Sequence, residues 1–175
     1  GGVNPEPLAF IFWLVVWMTL LFVVVYDLRH SIIPWSCSIT LVILSLIFLL
    51  FFKVGHPMSN FVVIDWIAGP LLALPLFLLS LVSRGQWMGW GDSALELSLG
   101  WFLGLSLGLS ALVYAFWSGA IIGIVLLLFA KASWIHGTTR FTMRSEIPFA
   151  PFLVLGACLA YFFHVDLFSS LQVLW

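Results

Sequence analysis

Two aspartates carry the chemistry that this chain can offer. Asp92 ends the run Gly89-Trp90-Gly91-Asp92 at the entrance to a long apolar segment, and Asp27 closes the first apolar segment in Tyr26-Asp27-Leu28-Arg29-His30-Ser31-Ile32-Ile33-Pro34. A carboxylate at a membrane edge is costly to dehydrate and reads by default as functional. Two that can approach one another suggest acid–base hydrolysis of an amide: one takes a proton from water while the other polarises and then protonates the scissile group. Adjacent like charges cannot both ionise cheaply in a poorly hydrated site, so the pair should share one proton and titrate as a unit. Asp92 opens a helix, where the dipole favours an anion, and is the expected ionised partner. Gly89 and Gly91 would let backbone approach a substrate closely.

The elements that must position this pair are membrane helices. Hydrophobic residues make up 63% of the 175 positions and charged residues 7%, a balance that excludes a soluble domain. Six candidate spans follow, over residues 7–26, 35–52, 61–83, 92–107, 109–131 and 147–167. The expectation is an all-α polytopic bundle of about six transmembrane helices, a single membrane-embedded unit over 1–175 without a soluble domain. Residues 92–131 form one nearly uninterrupted apolar stretch, twice what a bilayer core of about 30 Å can hold. A tight hairpin near residues 106–110 resolves it. The chain begins Gly1-Gly2-Val3 without an initiator methionine, which reads as a tag scar or an excised fragment.

Orientation follows from the basic residues. Arg29, Arg84, Lys131, Arg140 and Arg144 fall on the side reached after spans one, three and five, against Lys53 alone on the other. By the positive-inside rule that side is cytoplasmic. Asp27 at the end of span one and Asp92 at the start of span four then share the cytoplasmic edge and can meet. The pairs Ile33-Pro34 and Ile147-Pro148 each precede a span on that face, where proline suits a first helical turn.

Asp92, Glu96, Gly100, Gly104 and Gly108 recur every four residues, a stripe expected to pack spans four and five, with Gly119 and Gly123 adding small residues in span five. The stripe turns Asp92 and Glu96 toward the bundle interior. Glu96 lies one turn deeper than Asp92 on the same face; charge there without a basic partner is costly, so it reads as a neutral acid donating to a buried acceptor. Glu146, before Ile147-Pro148, is either a substrate contact or a loop carboxylate. Asp65 and Asp166 at outer helix ends read as capping and interfacially solvated residues, His56 and His164 lie on the outer side, and His30 and His136 are solvated. Pro70 and Pro75 should kink span three, and Trp35, Trp87, Trp90 and Trp134 form an inner belt, with Trp87 and Trp90 alternatively bordering the substrate. Cys37 and Cys158 lack metal-ligand spacing and read as packing residues. No cofactor or metal is expected, and the net charge of −1 without a basic cluster speaks against nucleic acid.

Together, Asp27 with Ile33-Pro34, then Met88-Gly89-Trp90-Gly91-Asp92, then Ile147-Pro148-Phe149-Ala150-Pro151-Phe152 resemble the bacterial type IV prepilin peptidases, across essentially the whole chain. The resemblance implies a membrane aspartic endopeptidase of the Gly-x-Gly-Asp type, with Asp27 and Asp92 catalytic and Gly89, Gly91, Pro34, Glu96, Glu146 and Pro148 as motif or substrate-proximal residues. It implies a bacterial inner-membrane enzyme whose partners are lipid and the helix of a pilin or pseudopilin precursor, trimmed at the cytoplasmic face. Two departures stand out. Ala94 replaces the lysine that many members carry two residues after the second aspartate, and the cysteine-paired cytosolic segment that accompanies methylation is absent, so it lies outside this chain or the protein trims without methylating. Presenilin-like enzymes share Tyr-Asp and Gly-x-Gly-Asp, but the Ile-Pro-Phe-Ala-Pro-Phe run favours the prepilin type. Two rivals remain. A small proton-coupled transporter would place its acids near the midplane between repeated halves, and a non-catalytic pilus or secretion assembly subunit would not need both aspartates.

Overall fold

The computed structural model describes residues 5–53, 61–85, 88–134 and 148–163. Among them every regular element is helical: α1 (Pro5–His30), α2 (Trp35–Phe48), α3 (Phe61–Val82), α4 (Trp90–Leu103), α5 (Leu105–Trp134) and α6 (Ala150–Phe163), with a π-helical turn at Leu49–Lys53 closing α2. Three carry apolar stretches long enough to cross a membrane, Ala9–His30, Val63–Val82 and Leu105–Leu126, while Trp35–Phe51 and Ala150–Phe163 are shorter apolar helices. The protein is a helical membrane bundle. The boundaries expected for the first three spans hold within a few residues.

Each helix is buried along one line, set by its 3.6-residue repeat. On α1 the line is Val16, Leu20 and Val23, and its next position is Asp27. On α2 it is Ser38, Leu41, Ser45 and Leu49, and on α3 Ala68, Leu72, Leu76 and Ser80. The opposite faces present Met18, Leu21, Phe22, Leu71, Leu74, Leu78 and Leu81 outward, the surface that lipid covers. Pro70 and Pro75 lie inside α3 on that outward side.

The central helix is α4, packed against α2, α3, α5 and α6. Asp92, Ser93, Leu95, Glu96, Ser98, Leu99, Gly100, Trp101 and Phe102 are all buried, while Gly91, Ala94, Leu97 and Leu103 are half-buried and Trp90 is exposed, so most of its surface faces protein. Bundle interiors are where membrane proteins place polar side chains, and α4 concentrates them. It meets α3 closely: a Cβ on Gly100 would lie 2.8 Å from Gly69 Cα, and the Trp101 indole donates to the Trp66 carbonyl at 3.0 Å.

The long apolar stretch turns at Gly104, earlier than the expected 106–110. Gly104 has φ 80° and ψ 178°, a left-handed backbone that residues with a Cβ rarely adopt. The chain reverses there, so that a Cβ on Gly108 would lie 3.7 Å from Gly100 Cα. Ser106 and Ser110 consequently fall in the first turns of α5, and Gly100, Gly104 and Gly108 occupy helix, turn and next helix rather than one helical face. The stripe's packing is also redistributed. Gly100 seats α4 on α3, a Cβ on Gly119 would lie 3.6–3.8 Å from Phe152 and Phe149 at the α6 end, and one on Gly123 would meet nothing within 4 Å.

Candidate active site

The C-terminal ends of α1 and α3 and the N-terminal ends of α2, α4 and α6 gather at one end of the bundle around a cavity of about 310 Å³. Asp27 and Asp92 both line it, with Ser31, Ile32, Ile33, Trp35, Gly85, Met88, Gly89, Trp90, Gly91, Pro148 and Phe149. The two carboxyls share this one cavity. Both are buried, Asp27 at 4% exposure and Asp92 at 6%, whereas Ile32 and Trp35 at the rim are 65% and 63% exposed. The site is therefore a buried carboxyl pair under an open aromatic and aliphatic mouth.

Each carboxyl is held by one main-chain N–H. Asp92 is the third residue of α4, and its Oδ2 accepts from the Gly89 N–H at 3.2 Å while its own N–H donates to the Gly89 carbonyl at 3.2 Å. This is the reciprocal closure of a helix N-terminus in which the acid reaches back to the cap residue. Asp27 Oδ2 accepts from the Ala150 N–H at 3.2 Å, across 123 residues of chain. Both acids thus sit at helix N-termini, Asp92 at that of its own helix and Asp27 at that of α6. The helix-dipole contrast expected to single out Asp92 as the ionised partner does not separate them.

The turn that carries Gly-x-Gly-Asp is fixed from two sides. From α3, Ser80 Oγ donates to the carbonyls of Met88 and Gly89 at 3.1 and 3.3 Å. From the α1–α2 connection, Ile33 presses against Gly91, where an added Cβ would come 2.7 Å from Ile33 Cβ. Gly91 is thus needed for the close approach of the chain's own Ile33. Trp90 packs edge-on to Phe77 at 5.6 Å and reaches the cavity with its remaining surface. Pro34 does not line the cavity. It caps α2 with φ −66° and ψ 129°, its carbonyl accepting from Cys37 and Ser38, one position before the first turn expected of it. Pro148 lines the cavity but lies before Phe149, whose carbonyl accepts from Phe152 and Leu153 and which therefore caps α6.

Glu96 is 1% exposed and is not part of the cavity wall. Its Oε1 has no hydrogen-bond partner among the described residues, and neither has the buried Ser38 Oγ. The donation expected of a neutral Glu96 is not made by that oxygen. His30 is exposed, stacked on Tyr26 at 4.3 Å, and stands away from the cavity wall. Asp65 lies in the second turn of α3, inside the helix rather than at its cap, and roughly 22 Å along the axis from Ser80. Cys37 and Cys158 are free and half-buried. Among the described residues no three His, Cys, Asp or Glu side chains form a metal-binding group. Glu146, Trp87, His56, His136, His164, Asp166, Arg140 and Arg144 lie outside the described residues.

Sequence reasoning missed Ser80 and the Ala150 N–H. Ser80 carried a signal, a hydroxyl at the end of the buried line of α3; a main-chain donor carries none.

No curated protein and no solved structure matches the chain. The sequence profile of the type IV leader peptidase family matches residues 13–124, more than half of the chain, from α1 into α5. That match takes in both buried carboxyls, the glycine turn that shapes the cavity and the Ile33 that packs on it, so this membrane bundle belongs to the type IV leader peptidase family and is a protease.

Proposed function

We propose that Asp27 and Asp92 are the catalytic pair of an aspartic endopeptidase that removes the leader of type IV prepilin-like precursors. The observation that carries this reading is the convergence of two buried carboxyls, from α1 and α4, on one cavity at one end of the bundle. The pair holds one proton. The ionised member takes a proton from water as the water oxygen attacks the scissile carbonyl carbon, and the protonated member donates to the carbonyl oxygen. Collapse of the tetrahedral intermediate returns that proton, protonates the leaving nitrogen and breaks the C–N bond. Main-chain donors at Gly89 and Ala150 fix both acids without adding a competing charge.

The excess of Arg and Lys on the cavity's side of the membrane supports a cytoplasmic-facing site in a bacterial inner membrane. A precursor whose apolar helix lies in the bilayer would present the peptide bond at that helix's end to a cavity rimmed by Ile32, Trp35 and Trp90. Co-expression with a type IV prepilin-like precursor, read by a mobility shift, tests the reading. Asp27→Asn and Asp92→Asn should each lower cleavage by about 100-fold or more at matched membrane expression. Near wild-type cleavage by either variant removes that residue from the mechanism.

A further inference from the structure

The free donors at the start of α6 reduce to one. Phe152 and Leu153 both give their N–H to the carbonyl of Phe149, at 3.0 and 3.2 Å, and Pro151 has none. The remaining first-turn N–H belongs to Ala150, the first residue of α6. It donates to Asp27 Oδ2 at 3.2 Å, with Ala150 fully buried and Asp27 nearly so. The buried Ala150 N–H therefore has no solvent acceptor to take the place of Asp27.

Resting on the reading of Asp27 as catalytic, we propose that the Ala150 main-chain N–H is a positioning group of the reaction, orienting the Asp27 carboxyl toward Asp92 and holding it in the anionic half of the proton-sharing pair's cycle. The geometry favours a dedicated role over simple helix capping. Asp27 stands at the C-terminal end of its own helix, where a carboxylate is disfavoured by the local dipole, and the opposing N-terminus of α6 supplies the compensating donor. The donor comes from beyond residue 124, where the family match ends. α6 is thereby part of the catalytic apparatus rather than a closing strut, and the Pro148–Phe149 segment, which also lines the cavity, is anchored to the chemistry by one bond.

The test removes the N–H while keeping the helix. Proline is tolerated at the first position of a helix because its missing N–H is not needed there, so Ala150→Pro deletes the donor at a site that accepts the residue. A second variant replaces the Ala150 amide by an ester through the corresponding α-hydroxy acid, deleting the same N–H without the proline ring. Ala150→Gly keeps the donor and serves as the control. With full-length enzyme and a prepilin-like precursor, kcat should fall about 10- to 100-fold in the donor-less variants, with KM within roughly twofold. Their pH–rate profile should move by about half a unit or more toward higher pH, because an N–H bond to a carboxylate favours its charged form; Ala150→Gly, which keeps the N–H but loses the buried methyl, should lower kcat less than the donor-less variants and leave the profile unmoved. Wild-type kcat and an unmoved profile in a folded donor-less variant would overturn the proposal. So would a loss that merely tracks loss of folded protein with the profile unmoved, which would reduce the bond to capping α6. Activity retained by Asp27→Asn would instead bring down the catalytic reading on which the proposal rests.

Discussion

At the scale of single residues, three buried acids lie among the described residues and are used differently. Asp27 and Asp92 face a cavity and are each held by a backbone donor; Glu96, four residues beyond Asp92, faces packed protein and leaves Oε1 without a partner. A carboxylate in that position would need a counter-charge, since a buried ion without one costs several kcal/mol. Glu96→Gln, which keeps the shape and removes the ionisable group, should therefore retain most of the cleavage rate and leave the pH–rate profile in place. A shift of half a unit or more would show instead that Glu96 carries charge beside the pair. The residue types were the legible part of the site. A carboxylate in an apolar segment announces itself by its cost, and the four-residue spacing alone puts Asp92 and Glu96 on one inward face. The donors to the carboxyls were not legible, because every non-proline residue has an N–H and only the fold decides which one is left over.

Elements tell a similar story with a different source of error. Apolar length placed the first three helices within a few residues, but the reversal between α4 and α5 was expected at residues 106–110 and occurs at Gly104. The regular spacing from Asp92 to Gly108 looks like one helical face when read as a string. It is interrupted by a residue whose role is a positive φ, and a glycine chosen for φ is indistinguishable in sequence from one chosen for close packing. Gly104→Ala separates the roles: forcing a Cβ into the left-handed region costs about 1–2 kcal/mol, so the variant should melt at a lower temperature in detergent while its catalytic pair keeps its pH profile. An unchanged melting temperature would mean that the turn tolerates another backbone conformation. The same element scale explains Gly91, which yields room to Ile33 and so couples the α1–α2 connection to the glycine turn.

For the whole molecule, helix count and parity were sufficient to bring Asp27 and Asp92 to the same end of the bundle, because each crossing reverses direction and leaves only two ends to choose from. What parity cannot supply is lateral order, and here the order is the informative part: α4 is enclosed by α2, α3, α5 and α6. That arrangement turns the usual membrane pattern inward. The long apolar helices turn broad faces to lipid, and the polar helix α4 keeps Asp92 and Glu96 inside and exposes only Trp90.

The enclosure of α4 has a consequence for biogenesis. Its 14 residues span about 21 Å, short of the ~30 Å hydrocarbon core, and an acid near the middle of an inserting helix opposes translocon partitioning by roughly 2.5–3.5 kcal/mol. Such a segment will not leave the translocon for lipid as an independent unit. It has to be carried in by the apolar helices on either side, so the catalytic helix is acquired only once α3 and α5 are present to shelter it. In a glycosylation-tag insertion assay, α4 alone should remain uninserted, whereas a segment spanning α3 to α5 should insert with the α4 flanks on opposite sides. Efficient insertion of α4 by itself would contradict this order. A protease assembled in that sequence exposes no paired carboxyls to the bilayer until its bundle has closed, which ties the onset of proteolysis to the completion of folding.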